Sequence, residues 1–198
     1  VRRDGELSYR GQLLARADAG INSIEDLRGR RIAFVDPSST SGYIYPKALL
    51  IERTVRTGEE VFANKHDNVV TMIYQGQVDA GATYYSPPDK RTGEQLDARA
   101  RVKAQFPDVF NKVKIVELTA DIPNDPVVFR DGFPEEMRDR IIKALLAYAS
   151  TPAGVESLKK IASVEGLVRS SDTEYAPMQR VVMASSVDVE KALRTSKK

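Results

Sequence analysis

Cysteine does not occur among the 198 residues, which excludes disulfides and thiolate metal sites alike. That absence is compatible with an oxidising compartment without requiring one. A single histidine, His66, rules out a histidine-rich metal centre. No apolar run reaches the length that a bilayer-spanning helix needs. An excess of one charge is lacking too. The 30 Lys and Arg stand against 28 Asp and Glu, a net charge of +2, too even for the basic field of a general nucleic-acid binder. The chain opens Val1-Arg2-Arg3-Asp4-Gly5, without the charged-then-apolar pattern of an export signal. A Walker loop, a dinucleotide fingerprint and paired metal-ligand motifs are all missing, so no cofactor is implied. What remains is an ordinary globular composition, 41% hydrophobic and 29% charged.

The pattern of the first half predicts an α/β layer with a parallel component. Ser23 to Gly29 reads as a short helix, with Ser23 as its cap, Asp26 completing a capping box and Gly29 ending it. Arg31 to Val35 reads as a short strand stopped by Asp36-Pro37. An apolar helix is expected over 44–55, with Pro46 limiting how regular its start can be. A second is expected over 67–75, burying Val69, Val70, Met72 and Ile73 and closed by Gly76. The small residues Val78 to Thr83 predict a strand that another backbone or a ligand approaches closely.

After the loop from Tyr84 to Gly93, a polar helix is expected over 94–105, its charges forming a solvated face. Strands are expected at Val113–Leu118 and Val127–Arg130, joined through the turn Pro123-Asn124-Asp125-Pro126. The remainder reads as helical. Pro134 starts a helix that buries Met137, Ile141, Ile142, Leu145 and Leu146, Thr151-Pro152 starts the next, and a last one runs from Pro177 towards Lys198. This half carries too little sheet for its helices and reads as part of a lobe.

Ser39-Thr40-Ser41-Gly42 lies between an apolar strand and a helix. Unpaired N–H groups and the positive dipole end suit an anion there, three hydroxyls add donors, and Gly42 admits a close approach. The same residues also suit plain helix capping, and local sequence leaves both readings open. By local rules His66 is a surface imidazole near a helix end, or else a hydrogen-bond donor to an anion. Asp125 and Asp79 read locally as turn-holding carboxylates, and Tyr84-Tyr85 as packing. A triad of Ser39, His66 and Asp79 has no supporting spacing and no nucleophile elbow, so an enzyme is not expected.

Taken in order, these pieces resemble the phosphate/phosphite/phosphonate-binding family of ABC-transporter periplasmic proteins. The similarity runs from Ser8-Tyr9-Arg10-Gly11, like the family's hinge segment, through Ser23 to Pro37 and Ser39-Thr40-Ser41-Gly42-Tyr43. It continues through His66-Asp67, Val78-Asp79-Ala80-Gly81, Ile122-Pro123-Asn124-Asp125-Pro126 and the tail Asp172 to Pro177.

The resemblance implies an α/β periplasmic-binding-protein fold of two lobes that close on a ligand. The expected division is a hinge-region strand over 1–12, an α/β lobe over 13–118 carrying the anion-binding turn, and the mainly helical C-terminal part of the other lobe over 119–198. It implies that Ser39, Thr40, Ser41 and His66 hold the oxygens of a phosphorus oxyanion. Gly42, Asp125 and Tyr84 complete the candidate ligand set. It further implies an ABC-transporter permease as partner, no nucleic acid, a periplasmic or extracytoplasmic location, and membrane association only through the transporter or a lost lipid anchor. A ligand-sensing module of the same fold in a signalling or regulatory protein is the alternative.

Two departures from the family pattern follow. Members that bind aminoethylphosphonate hold its amine with two carboxylates. Asp125 matches one, whereas Ser86 stands at the other, which favours a ligand without an amine as much as one with it. The signal peptide and the roughly hundred residues with which the family begins, building most of the first lobe, have no counterpart here, so a truncated chain is expected. Its uncovered apolar surface would be exposed, repacked or used in self-association.

Overall fold

The computed structural model describes residues 1–3, 5–188 and 191–192. Its strands are β1 (Ser8–Arg16), β2 (Ile32–Phe34), β3 (Glu60–Phe62), β4 (Ala80–Tyr85) and β5 (Val113–Pro123). Its helices are α1 (Tyr45–Glu52), α2 (His66–Tyr74), α3 (Val109–Lys112), α4 (Glu135–Ala149), α5 (Pro152–Ala162) and α6 (Ala176–Ala184). The residues fall into two units. One is Tyr9–Ile122 with the described residues from Pro177 on, and the other is Val1–Ser8 with Pro123–Ala176. These bounds differ from the expected break at 118: the end of β5 and nearly all of α6 belong with the sheet. Met178, Val181, Val182 and Val187 pack there against Ile44, Tyr45 and Ile122.

The sheet unit has strand order β3-β2-β4-β1-β5. β2 runs parallel to both β3 and β4, and β1 runs antiparallel to β4 with Leu13 opposite Ala82. Alternation along the strands feeds two cores. Leu13, Ala15, Ile32, Phe34, Ala80 and Ala82 pack with Ile21, Ile24, Leu27 and Leu50 in one. Leu14, Ala33 and Val35 pack with Val69, Val70 and Ile73 of α2 in the other. Small residues in β4 are explained by α2: a Cβ on Gly81 would lie 3.0 Å from the Ile73 side chain and from the Ala33 carbonyl oxygen. The close neighbours of this strand are thus the β2 backbone, as the small residues predict, together with side chains of α2.

Several local expectations are corrected. The segment after Ser23 makes only a 3₁₀ turn, Glu25–Leu27, and Ser23 does not cap it. Asp26 does make its half of the expected capping box, accepting the Ser23 N–H and also that of Asn22, and Gly29 turns the chain at φ +71°. The segment 94–105 supplies a 3₁₀ turn, Ala98–Val102, rather than a polar helix. Two of its charges, on Asp97 and Arg99, are buried rather than solvated. Tyr84 and Tyr85 belong to β4 and not to the loop. Met72 is half-buried.

In the second unit, residues 127–130 form no strand, because no strand among the described residues pairs with them. Val127 and Val128 stay 56% and 77% exposed. The helix expected after Pro134 forms, yet its apolar stripe is not buried. Met137 is exposed, Ile141, Ile142, Leu145 and Leu146 are half-buried, and only Ala149 is covered. The neighbouring helix α5 covers only part of that stripe. Thr151 caps α5 by accepting the Gly154 N–H at 3.0 Å. α6 ends at Ala184 and helix resumes at Lys191 and Ala192, while the tail expected to carry it to Lys198 lies outside the described residues at 189–190 and from 193 on.

Candidate functional site

Three parallel strands place the candidate residues on one edge of the sheet. β2 leads into the Ser39–Gly42 turn, β3 into His66, and β4 ends at Tyr84 and Tyr85. Because the strands share a direction, all three exits lie at their carboxyl ends, where open α/β sheets bind ligands.

The turn begins as a helix cap. Ser39 has extended backbone, and its hydroxyl accepts the Gly42 N–H at 3.1 Å. Its carbonyl oxygen accepts from Tyr43 and Ile44, both at 3.0 Å, which opens one π-helical turn, Thr40–Ile44, before α1. Pro46 follows immediately and has no N–H to continue an ordinary ladder. The turn is pinned by Tyr43, whose ring meets Phe34 edge-on at 4.9 Å and Phe62 at 5.1 Å. Gly42 is required by close approach: a Cβ there would lie 2.7 Å from Val35 Cβ. The Ser39 hydroxyl is thus occupied by the capping role that local sequence allowed. Those of Thr40 and Ser41 have no protein partner among the described residues. Asp36 braces the approach to the turn, its carboxylate accepting from the Ser38 N–H and hydroxyl at 2.8 and 2.6 Å.

His66 opens α2 and is largely shielded rather than a surface imidazole. Its Nδ1 accepts the Tyr84 N–H at 3.3 Å, and the Tyr84 ring meets it edge-on at 4.9 Å. Burial, with the Arg101 charge second, lowers its pKa from 6.5 to about 4 against the opposite pull of Asp36 and Asp67. A neutral imidazole whose Nδ1 accepts must carry its proton on Nε2, so His66 offers one N–H donor.

The same shift sets a stability window. Above pH 6.5 the imidazole is neutral folded and unfolded and contributes nothing. As the pH falls from 6.5 towards 4 the unfolded chain takes up a proton that the folded one refuses, so stability drops. The loss amounts to about 3 kcal/mol once pH is below the folded value. His66→Gln should remove this slope from urea midpoints measured across that window; an equal slope in both proteins would contradict the burial of His66.

Tyr84 is held at three points. Gln12, fully buried in β1, donates from Nε2 to the Tyr84 carbonyl oxygen and to Thr83 Oγ1, each at 3.0 Å. Arg101 Nε donates to the Tyr84 hydroxyl at 2.9 Å. Neither Gln12 nor Arg101 was a sequence candidate. The signal available for Gln12 is a polar residue within the apolar run Gln12-Leu13-Leu14-Ala15, whereas Arg101 sits unmarked in a charged stretch. Asp79 lies before β4 and accepts the Arg31 N–H at 2.9 Å, at the opposite end of the strand from Tyr84, so no triad assembles.

Asp125 belongs to the other unit. Its carboxylate is 71% exposed and pairs with Arg3 Nη1 at 2.6 Å, rather than bonding within its own turn. Beside it, Asn124 donates to the Glu6 carbonyl oxygen and Tyr175 donates to the Asn124 carbonyl oxygen, at 3.0 and 2.9 Å.

Comparison with known proteins bears on the family and the fold. The sequence profile of a family described as "ABC transporter, phosphonate, periplasmic substrate-binding protein" matches residues 1–175. The phosphonates-binding periplasmic protein of Escherichia coli is 25% identical over 197 residues, 92% of this chain and 53% of its own length. The phosphate-import protein PhnD of Mycolicibacterium smegmatis is 40% identical over 106 residues, 48% of this chain and 33% of its own length. The chain thus spans about half the length of the first relative, and the match to the second covers a third of it. Among solved structures, XAC2383 from Xanthomonas citri, bound to ATP, superposes with a TM-score of 0.78 at 22% identity, covering 96% of this chain and 70% of that one. PhnD1 from Prochlorococcus marinus, in complex with methylphosphonate, gives 0.61 at 15% identity over 91% and 68%. At these identities the superpositions speak for the fold, which is periplasmic-binding-protein-like. The chain belongs to the phosphonate-binding periplasmic substrate-binding protein family of ABC transporters.

Proposed function

We propose that the sheet unit binds the oxyanion of phosphate, phosphite or a simple phosphonate for delivery to an ABC-transporter permease. The donors are the Thr40 and Ser41 hydroxyls, the N–H groups of their turn and His66 Nε2–H. The observation that carries this reading is the carboxyl-edge placement of the turn beside two other strand exits, with the Thr40 and Ser41 hydroxyls uncommitted. Each charge-assisted hydrogen bond supplies about 1.5–3 kcal/mol, so a few of them account for tight binding without an ion pair. The family is one of binding proteins rather than enzymes and is periplasmic, which supports an extracytoplasmic location for the chain.

The ligand proposed is one without an amine. Ser86, directly after β4, offers a hydroxyl where an ammonium would need a carboxylate, and the Asp125 carboxylate is already neutralised by Arg3. Titration calorimetry with phosphate, phosphite, methylphosphonate and aminoethylphosphonate should show binding of at least one of the first three. Aminoethylphosphonate should bind about tenfold or more weakly than the best of them. Preference for aminoethylphosphonate would overturn the reading of Ser86, and binding of none of the four would overturn the oxyanion site.

A further inference from the structure

Arg101 approaches the oxyanion edge from the 3₁₀ turn Ala98–Val102. Its Nε donates to the Tyr84 hydroxyl at 2.9 Å, and its guanidinium carbon lies 5.4 Å from the centroid of the same ring. That ring stands edge-on to His66 at 4.9 Å. Residues from three separate elements therefore form one stack of cation, phenol and imidazole. Arg101 itself is exposed, but the turn that carries it is anchored. Asp97 caps it by accepting the Arg99 N–H at 2.9 Å, and the Arg99 guanidinium returns to Asp97 and to the Val113 carbonyl oxygen inside the core. The end of the stack is fixed as well, since Gln12 grips the Tyr84 carbonyl oxygen.

The other charges that act on His66 are carboxylates, Asp36 and Asp67. Asp36 is committed to Ser38, and Asp67 lies in the first turn of α2 where the helix dipole favours it. Arg101 is the cation acting on the imidazole from this side.

We propose that Arg101 is a positioning and charge-selecting residue of the oxyanion site: it holds the Tyr84 ring against His66 and sets a fixed positive charge that favours an amine-free dianion. This rests on the oxyanion reading above. A positive charge here attracts hydrogen phosphate or a phosphonate dianion and repels the ammonium of an aminoalkylphosphonate, so it sharpens specificity by repulsion as well as attraction. Ser86 provides no carboxylate to offset it.

Because His66 is the only histidine in the chain, its imidazole can be titrated by NMR without assignment. In Arg101→Gln its pKa should rise from about 4 towards 6.5 without reaching it, because burial remains. Arg101→Lys should keep it low, since the charge survives while the planar fork that meets Tyr84 is lost. By calorimetry at low salt, Arg101→Gln should weaken phosphate about tenfold and narrow the ratio between methylphosphonate and aminoethylphosphonate about fivefold. Arg101→Lys should recover most of that ratio. Tyr84→Phe, which removes the anchoring hydroxyl, should reproduce part of the loss. An unmoved His66 titration together with an unmoved ligand ratio in Arg101→Gln would overturn the proposal. Absence of binding by the unmodified protein would sink the oxyanion reading and the selectivity with it, while the histidine titration would still decide whether Arg101 acts on His66.

Discussion

Replacing Arg99 by methionine is expected to remove about 3–5 kcal/mol of stability, the largest loss from any single exposed-looking charge in this sequence. Asp97 is fully buried and Arg99 is 7% exposed. They are joined by Nη2 to Oδ2 at 2.8 Å and Nε to Oδ1 at 3.0 Å, while Arg99 Nη1 satisfies the Val113 carbonyl oxygen. The guanidinium also lies 4.9 Å from the centroid of the Phe110 ring. Methionine keeps much of the volume but leaves a buried carboxylate with only a backbone partner and removes the side-chain donor to the Val113 carbonyl oxygen. A domain has about 5–15 kcal/mol in total, so the urea midpoint should fall steeply. The double change Asp97→Leu with Arg99→Met removes both charges, and it should recover a large part of the loss because paired burial carries its own desolvation cost. A loss below about 1 kcal/mol in the single variant would mean that the pair is solvated.

That pair also marks where the sequence stops being legible. Residues 94–105 alternate charges of both signs, the pattern of an exposed helix face, and nothing local distinguishes Asp97 and Arg99 from Arg91 or Lys103. Their burial is decided by α3 and β5, which meet them from later in the chain. The Val127–Arg130 run has strand composition, but a strand needs a partner, and composition does not say whether one exists. The same holds for α4. Its apolar spacing predicts the helix and its stripe correctly, and yet burial depends on what lies opposite.

Where the pattern is local, it reads through to structure. β2 and α2 follow from hydrophobic period and glycine punctuation, and Gly76 closes the second at φ +71° as expected. The placement of the site was legible only in part. Ser39 to Gly42 between strand and helix is visible in sequence, although the π turn it makes is not, since that depends on Pro46 and on Tyr43 docking against Phe34 and Phe62. His66 gave the weaker local signal. Its burial and its single donor arise from Tyr84, eighteen residues along, through a backbone N–H that any residue there would carry.

Anion binding at the hydroxyl turn is tested most directly by calorimetry with phosphate and methylphosphonate on the unmodified protein and on Thr40→Ala. Ser39 caps the π turn and Ser41 is 4% exposed, so changes at either confound binding with folding. Thr40 is half-buried, its hydroxyl has no protein partner among the described residues, and its removal should leave the thermal midpoint nearly unchanged. Loss of one charge-assisted hydrogen bond, worth about 1.5–3 kcal/mol, predicts affinity lower by roughly 10- to 150-fold. Affinity equal to that of the unmodified protein, in a variant of unchanged stability, would show that the anion is held elsewhere.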